Sequence, residues 1–143
     1  MKYHFKVHKD GKYYWAQSIE LEGCITQATS MKVLRKNMQE ALNLYVQEPE
    51  HSKDLAALPD ESIRRSKTVE EIELDPQTAF SFMVRYHRIK QGMTQSQAAK
   101  KMGFDSLFSY QRLEKKSCNP SLKMIHKIKQ VFPDFSIDAA IGC

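Results

Sequence analysis

The first nineteen residues constrain the fold more than any other stretch of the chain. Met1, Tyr3, Phe5 and Val7 alternate with Lys2, His4, Lys6 and His8. Side chains of a β-strand point alternately to its two faces, so this segment reads as a half-buried strand with one apolar side. Asp10-Gly11 follows, a dipeptide suited to the positive φ angles of a two-residue hairpin turn. Residues 13–19 then have the aromatic character of a returning strand. A turn on Asp10-Gly11 sets Lys9 opposite Lys12, Val7 opposite Tyr14 and Phe5 opposite Ala16. A third short strand around 23–28 completes a meander, and its apolar face requires a cover.

The next segment supplies that cover. Thr29 or Ser30 can cap a helix, because a hydroxyl there accepts the orphan amide protons of the first turn. Leu34, Met38, Ala41, Leu42 and Tyr45 follow at helical spacing, with Lys32, Arg35, Lys36, Gln39 and Asn43 on the other side. From 47 to 68 the composition turns to charge and proline, with a weak apolar cluster at residues 55–58, and reads as a mobile loop. Residues 69–74 resume as a fourth strand.

Strand, turn, aromatic strand, then Leu21-Glu22-Gly23-Cys24-Ile25-Thr26-Gln27 leading into a capped amphipathic helix, resembles the antitoxin HicB of bacterial HicA–HicB toxin–antitoxin pairs. Its L-P-G-C-x-T-Q-G stretch is matched at Gly23, Cys24, Thr26 and Gln27. Glu22 stands where proline is usual, and Ala28 where glycine is usual. The resemblance covers residues 1–75 and implies a pared-down ribonuclease-H-like sheet with one helix. It also implies a partner, a small basic HicA-like ribonuclease toxin that this domain masks. Trp15, Tyr13 and Ile19, on the sheet face opposite Phe5 and Val7, are a contact surface, a second buried layer or a dimer interface.

After residue 75 the pattern becomes wholly helical. Asp75-Pro76 opens a helix, with Asp at the cap and Pro in the first turn where no amide bond is lost. Ala79, Phe80, Met83, Tyr86 and His87 continue it toward Gly92. Thr94 caps a short helix to Met102 that stops at Gly103, and a third helix is expected from Ser106 to Lys115. Pro120-Ser121 begins a fourth, with Leu122, Ile125, Ile128, Val131 and Phe132 inward. Short helix, glycine turn, short helix is the order in which the second helix enters a DNA major groove.

Gly92-Met93-Thr94-Gln95 with Ala98-Ala99, then Met102-Gly103, Arg112-Leu113-Glu114 and Asn119-Pro120-Ser121-Leu122, closely resembles the Xre/Cro-like repressor family. One residue more than usual separates Gly103 from the Arg-Leu-Glu triplet. The resemblance covers residues 77–133 and implies an all-α helix-turn-helix domain, residues 76–143, that binds operator double-stranded DNA as a homodimer or higher oligomer. It implies that Thr94 and Gln95 face phosphate and that Ser106, Leu107, Ser109, Tyr110 and Gln111 lie near the groove. For Leu107 and Tyr110, core packing is the equal alternative. Gln111 can read adenine through its amide, while Arg112, Lys115 and Lys116 hold phosphates and set the register.

Charge agrees with this division. Residues 1–75 carry 11 Lys+Arg against 13 Asp+Glu, a net of −2, and residues 76–143 carry 11 against 4, a net of +7. A basic second half suits a polyanion. The whole chain reads as α+β, with 41% hydrophobic residues to form cores.

An enzyme is not expected. The first strand has no carboxylate, and Glu20, Glu22 and Asp75 read as solvated surface rather than a Mg²⁺ cluster. His4 and His8 share a strand face but lack a third ligand, which leaves an exposed polar face. His51, His87 and His126 stand in unrelated contexts. Cys24, Cys118 and Cys143 form no C-x-x-C pair and no nucleophile–base arrangement, so they read as free thiols of a cytoplasmic protein. No metal, cofactor or membrane is implied: no apolar run nears the roughly 18 residues of a span, and the start lacks a signal peptide's apolar core. The expected function is an antitoxin that masks its toxin and represses its own operon. The alternative is a stand-alone transcription regulator whose first domain dimerises or senses a ligand.

Overall fold

The structure, a computed structural model, describes residues 1–47 and 53–141. It divides into two compact units, Met1–Leu74 and Asp75–Cys143. The chain is a mixed α+β protein, with one four-stranded antiparallel sheet and six α-helices among the described residues.

In the first unit, β1 (Lys2–Asp10), β2 (Tyr13–Ser18), β3 (Ile25–Ala28) and β4 (Val69–Glu73) lie in the order β3-β2-β1-β4. Helix α1 (Met31–Val46) runs between β3 and β4. The hairpin pairs Asp10 with Tyr13, Val7 with Ala16 and Phe5 with Ser18. Its turn residues are therefore Gly11 and Lys12, one step later than expected. Gly11 has φ +60°, and no described non-glycine residue has a positive φ. A primed turn centred on Asp10-Gly11 puts Asp10 into the left-handed region, whereas a turn that starts on Gly11 needs a positive φ at the glycine alone. Each partner moves by two residues, an even shift, so every side chain keeps its expected face.

Tyr3, Phe5 and Ala16 on the inner face, and Leu34, Met38 and Leu42 of α1, are all fully buried. Burial of each large side chain contributes about 1.5–3 kcal/mol relative to exposure. The Ser30 hydroxyl accepts from the Val33 amide and caps α1. Ahead of β3, Gly23 takes φ +83° in a turn closed by the Cys24 amide on the Leu21 carbonyl at 3.2 Å. This turn buries Leu21 and Cys24, and burial pushes the Cys24 thiol up to about 11.

Two polar expectations are corrected in this unit. His4 belongs to the outer face by alternation, yet it is 4% exposed. Glu20, expected at the surface, folds over it: the carboxylate meets His4 Nδ1 at 2.6 Å and accepts from the His4 amide at 2.9 Å and the Asp60 amide at 3.3 Å. His4 Nε2 lies 3.7 Å from Glu71 on β4. Polar side chains can be buried when hydrogen bonds satisfy them, a condition that no periodicity displays. Of the expected loop at 47–68, residues 48–52 lie outside the described residues. Residues 53–68 form no helix or strand, but Tyr3 Oη donates to the Ala57 carbonyl at 2.8 Å and the Val7 amide to the Thr68 carbonyl at 2.8 Å. Ala56 is buried, so the segment is fastened to β1.

The second unit consists of α2 (Pro76–Lys90), α3 (Gln95–Lys101), α4 (Leu107–Gln111), a 3₁₀ turn (Arg112–Glu114), α5 (Leu122–Val131) and α6 (Ile137–Ile141). Asp75 sits at the cap position of α2, where its carbonyl rather than its carboxylate makes the cap bond, accepting from the Ala79 amide at 2.8 Å. α2 and α3 end alike. Gly92 and Gly103 have φ +68° and +74°, and the amides of Met93 and Phe104 reach back to the carbonyls of Arg88 and Ala99. This six-residue closure satisfies the last carbonyls and requires the left-handed conformation that glycine adopts freely.

Ile128 on α5 and Phe132 just past its end are fully buried, with Ile125 and Val131 half-buried beside them. Leu122, expected inward, is 85% exposed. It precedes Ile128 by six residues, about 120° around a helix of 3.6 residues per turn. α6 adds an element that the sequence reading did not anticipate. It packs on α2, and just before it Phe135 meets Phe80 edge to face at 5.6 Å.

Candidate nucleic-acid interface

The second unit builds its polar surface from α3 and α4. Thr94 caps α3 in a reciprocal box: its hydroxyl accepts from the Gln97 amide at 3.1 Å, while Gln97 Oε1 accepts from the Thr94 amide at 2.8 Å. Ala98 and Ala99 are buried where α3 meets α4, and small side chains let the two helices approach. Ser106 caps α4, accepting from the Ser109 amide at 3.3 Å. Tyr110 and Leu113 then point into the core. Phe108, Gln111, Arg112 and Lys115, at intervals of three and four residues, form the opposite stripe. Lys115 Nζ lies 5.9 Å from the centre of the Phe108 ring, which places both on one face.

A buried carboxylate holds this stripe in place. Glu114 accepts from Arg88 Nε at 2.7 Å, from Gln95 Nε2 and from Tyr110 Oη at 3.3 Å. Arg88 also donates to the Met93 carbonyl at 3.0 Å, tying α2 to the start of α3. Burial and the Glu114 charge hold the Tyr110 hydroxyl above the ordinary tyrosine range. Gln95 is engaged a second time, since its Oε1 accepts from Gln111 Nε2 at 3.2 Å. The chain of contacts Arg88–Glu114–Gln95–Gln111 therefore leads from the core to an amide at the surface. Arg88 and Glu114 neutralise one another, while Arg112, Lys115 and Lys116 remain exposed.

The expected site residues fall into three groups. Gln111, Leu107, Arg112, Lys115 and Lys116 reach the surface together. Thr94, Ser106 and Ser109 lie beside them, but their hydroxyls are committed: Thr94 and Ser106 to caps, and Ser109 to Ser106 at 3.0 Å. Gln95 acts as a strut for Gln111 rather than as a separate surface group. Tyr110, with no exposed surface, is corrected to a core residue, because it shares the inward phase of α4 with Leu113. Sequence reasoning passed over Phe108, which is 60% exposed. Its signal was available in the phase, since Phe108 precedes Gln111 by three residues on a helix whose inward residues are Tyr110 and Leu113. The expected single helix from Ser106 to Lys115 is instead α4 followed by the 3₁₀ turn, which stops at Lys115 in extended backbone. Beside the stripe lies a groove of about 390 Å³ lined by Ser109, Arg112, Ser117, Asn119 and Ser121. Cys118 also borders it, with a thiol raised by burial against the opposing effect of Arg112.

The first unit presents a different surface. Tyr13, Ile19 and Ile25 are exposed, while Trp15 is half-buried and stacked on His8 at 4.1 Å. Among the described residues no three His, Cys, Asp or Glu side chains converge as a metal site, and no helix is long and apolar enough to cross a membrane. No protein-family model matches the chain, and no curated protein matches it either.

Proposed function

We propose that this chain is a HicB-like antitoxin of a type II toxin–antitoxin pair that masks a HicA-like ribonuclease toxin and represses its own operon. The second unit is the operator-binding helix-turn-helix domain, working as a homodimer or higher oligomer in the cytoplasm, and the chain itself is not an enzyme. The observation that carries this reading is the outward stripe of α4 and the turn that follows it, where Gln111 stands beside Arg112, Lys115 and Lys116 on a half-chain of net charge +7. One amide suited to base edges, set among cations suited to phosphates, is the composition that duplex recognition needs.

The toxin-masking arm rests on the Gly23-Cys24-Ile25-Thr26-Gln27 segment and on a sheet whose outer face keeps Tyr13, Ile19 and Ile25 exposed. Masking is then steric, with this face or its edges laid over the toxin's RNA site. The experiment is to tag the chain, purify it from its native host and identify bound proteins. A stoichiometric basic partner of fewer than about 100 residues, one minimal domain, toxic alone and silenced by this chain, is the expected result. A chain that comes down alone from a host expressing such a partner overturns the antitoxin arm and leaves a stand-alone regulator.

A further inference from the structure

Phe108 is the least expected residue of the α4 surface. A phenylalanine 60% exposed on a five-residue helix gains nothing from water, and its neighbour Leu107 is 41% exposed. Around them the stripe is polar or cationic, with Gln111, Arg112 and Lys115 following and the Lys115 ammonium over the ring. A surface of this sign that must cover an apolar group fits an anionic partner carrying isolated apolar spots. Duplex DNA is such a partner, because each thymine presents a C5-methyl group in the major groove amid hydrogen-bonding atoms and between two phosphate chains.

We infer that Phe108 is a specificity-determining residue that packs its ring against a thymine methyl in the operator. The inference rests on the DNA-binding reading of the second unit and adds to it the identity of one base. Phe108 and Gln111 are three residues apart, so their Cβ atoms lie about 5–6 Å from each other. Successive base pairs are spaced by about 3.4 Å, so the two side chains address the same pair or adjacent pairs. Gln111 is suited to adenine, and an A·T pair offers both an adenine edge and a methyl. The expected half-site therefore contains A·T pairs under the centre of α4.

The test uses the full chain and duplexes selected from a random library by that chain. Each thymine of the selected duplex is replaced singly by deoxyuridine, which removes the methyl and nothing else. The expected result is one position per half-site where uracil weakens binding about 3–5-fold, the effect of one buried methyl group. At that position Phe108→Ala loses the same factor on the thymine duplex and is indifferent to uracil, while Phe108→Leu keeps part of the discrimination. Unchanged circular dichroism confirms that the variants are folded. Selective binding with no uracil effect, or one that persists in Phe108→Ala, overturns the Phe108 assignment and leaves DNA reading intact. Failure to enrich any duplex overturns both, and assigns the exposed ring to a protein contact.

Discussion

Arg88 Nε and Glu114 Oε1 lie 2.7 Å apart, with side chains only 9% and 5% exposed, and they join α2 to the turn that ends α4. Neither group is accessible to a ligand. Their effect on the surface is positional, because the same carboxylate holds Gln95, and Gln95 holds Gln111. Loss of one member leaves the other as an uncompensated buried charge. Glu114→Ala is expected to destabilise the second unit by about 3–5 kcal/mol, read as an earlier far-UV circular dichroism transition in urea. Arg88→Met combined with Glu114→Leu should recover most of this stability, since buried pairs can be replaced by apolar residues. A Glu114→Ala midpoint equal to that of the native chain would show that the pair contributes nothing to the fold.

His87 makes the second unit sensitive to acid. Its ring sits among Tyr86, Phe132 and Phe135, and Nε2 is buried with no hydrogen-bond partner. Burial lowers its pKa, Asp134 opposes that effect and Lys129 reinforces it. Unfolded, the imidazole titrates near about 6.5, so below that pH the unfolded chain binds a proton that the folded unit resists. The His87 contribution is thus complete above the unfolded pKa and is lost as pH falls below it. Thermal melts by circular dichroism from pH 8 to pH 5 should show a falling midpoint, with a shallower fall in His87→Phe. Parallel curves for the two proteins would remove His87 as the cause.

The first unit has its own reporter, because Trp15 is the sole tryptophan of the chain. Glu20 accepts from the amides of His4 and Asp60 and meets the His4 ring at Nδ1. Glu20→Ala takes the acceptor from His4, a residue only 4% exposed, and is expected to cost about 1–3 kcal/mol, seen as an earlier unfolding transition in tryptophan fluorescence. The circular dichroism transition of the second unit should stay in place. A shift of both transitions by the same amount would mean that Glu20 does not act within its own unit.

What was legible in the sequence is what depends on period. Alternation placed Tyr3 and Phe5 in the core, and the 3.6-residue phase placed Leu34, Met38 and Leu42 against the sheet. The hairpin register was missed because the choice between Asp10 and Gly11 as the first turn residue depends on the sign of one φ angle, while either choice preserves the faces. His4 and Glu20 were read as solvated because their burial depends on contact between residues sixteen positions apart and on Asp60 beyond them. In the candidate interface, Gln111 and the cations reach the surface as their phase implies, and Gln95, expected to face phosphate, is hydrogen-bonded to Glu114 and Gln111 by side-chain contacts that spacing does not display. Buried Tyr110, for which groove and core stood equal, and exposed Phe108, which was passed over, are two residues apart on one short helix. They were separable only once Leu113 fixed the inward phase.

On the DNA-binding reading proposed above, the stripe from Phe108 to Lys116 divides into groups expected to read bases and groups expected to hold the backbone, and salt distinguishes them. Gln111→Ala should cost about 1–3 kcal/mol at one operator position and relax specificity there, while Lys115→Ala should weaken all duplexes alike and reduce the salt slope by about 1. Gln95→Ala is the informative third variant. Gln95 does not itself need to touch DNA, yet its Oε1 fixes the Gln111 amide at 3.2 Å, so its removal should reproduce a fraction of the Gln111 loss at the same base pair. Its salt slope should stay that of the native chain. Fluorescence anisotropy titrations on selected and scrambled duplexes at several salt concentrations separate these outcomes. Equal losses on both duplexes for Gln111→Ala would remove Gln111 from base reading. A Gln95→Ala loss at a different base pair would show that Gln95 reads DNA directly, rather than through its neighbour.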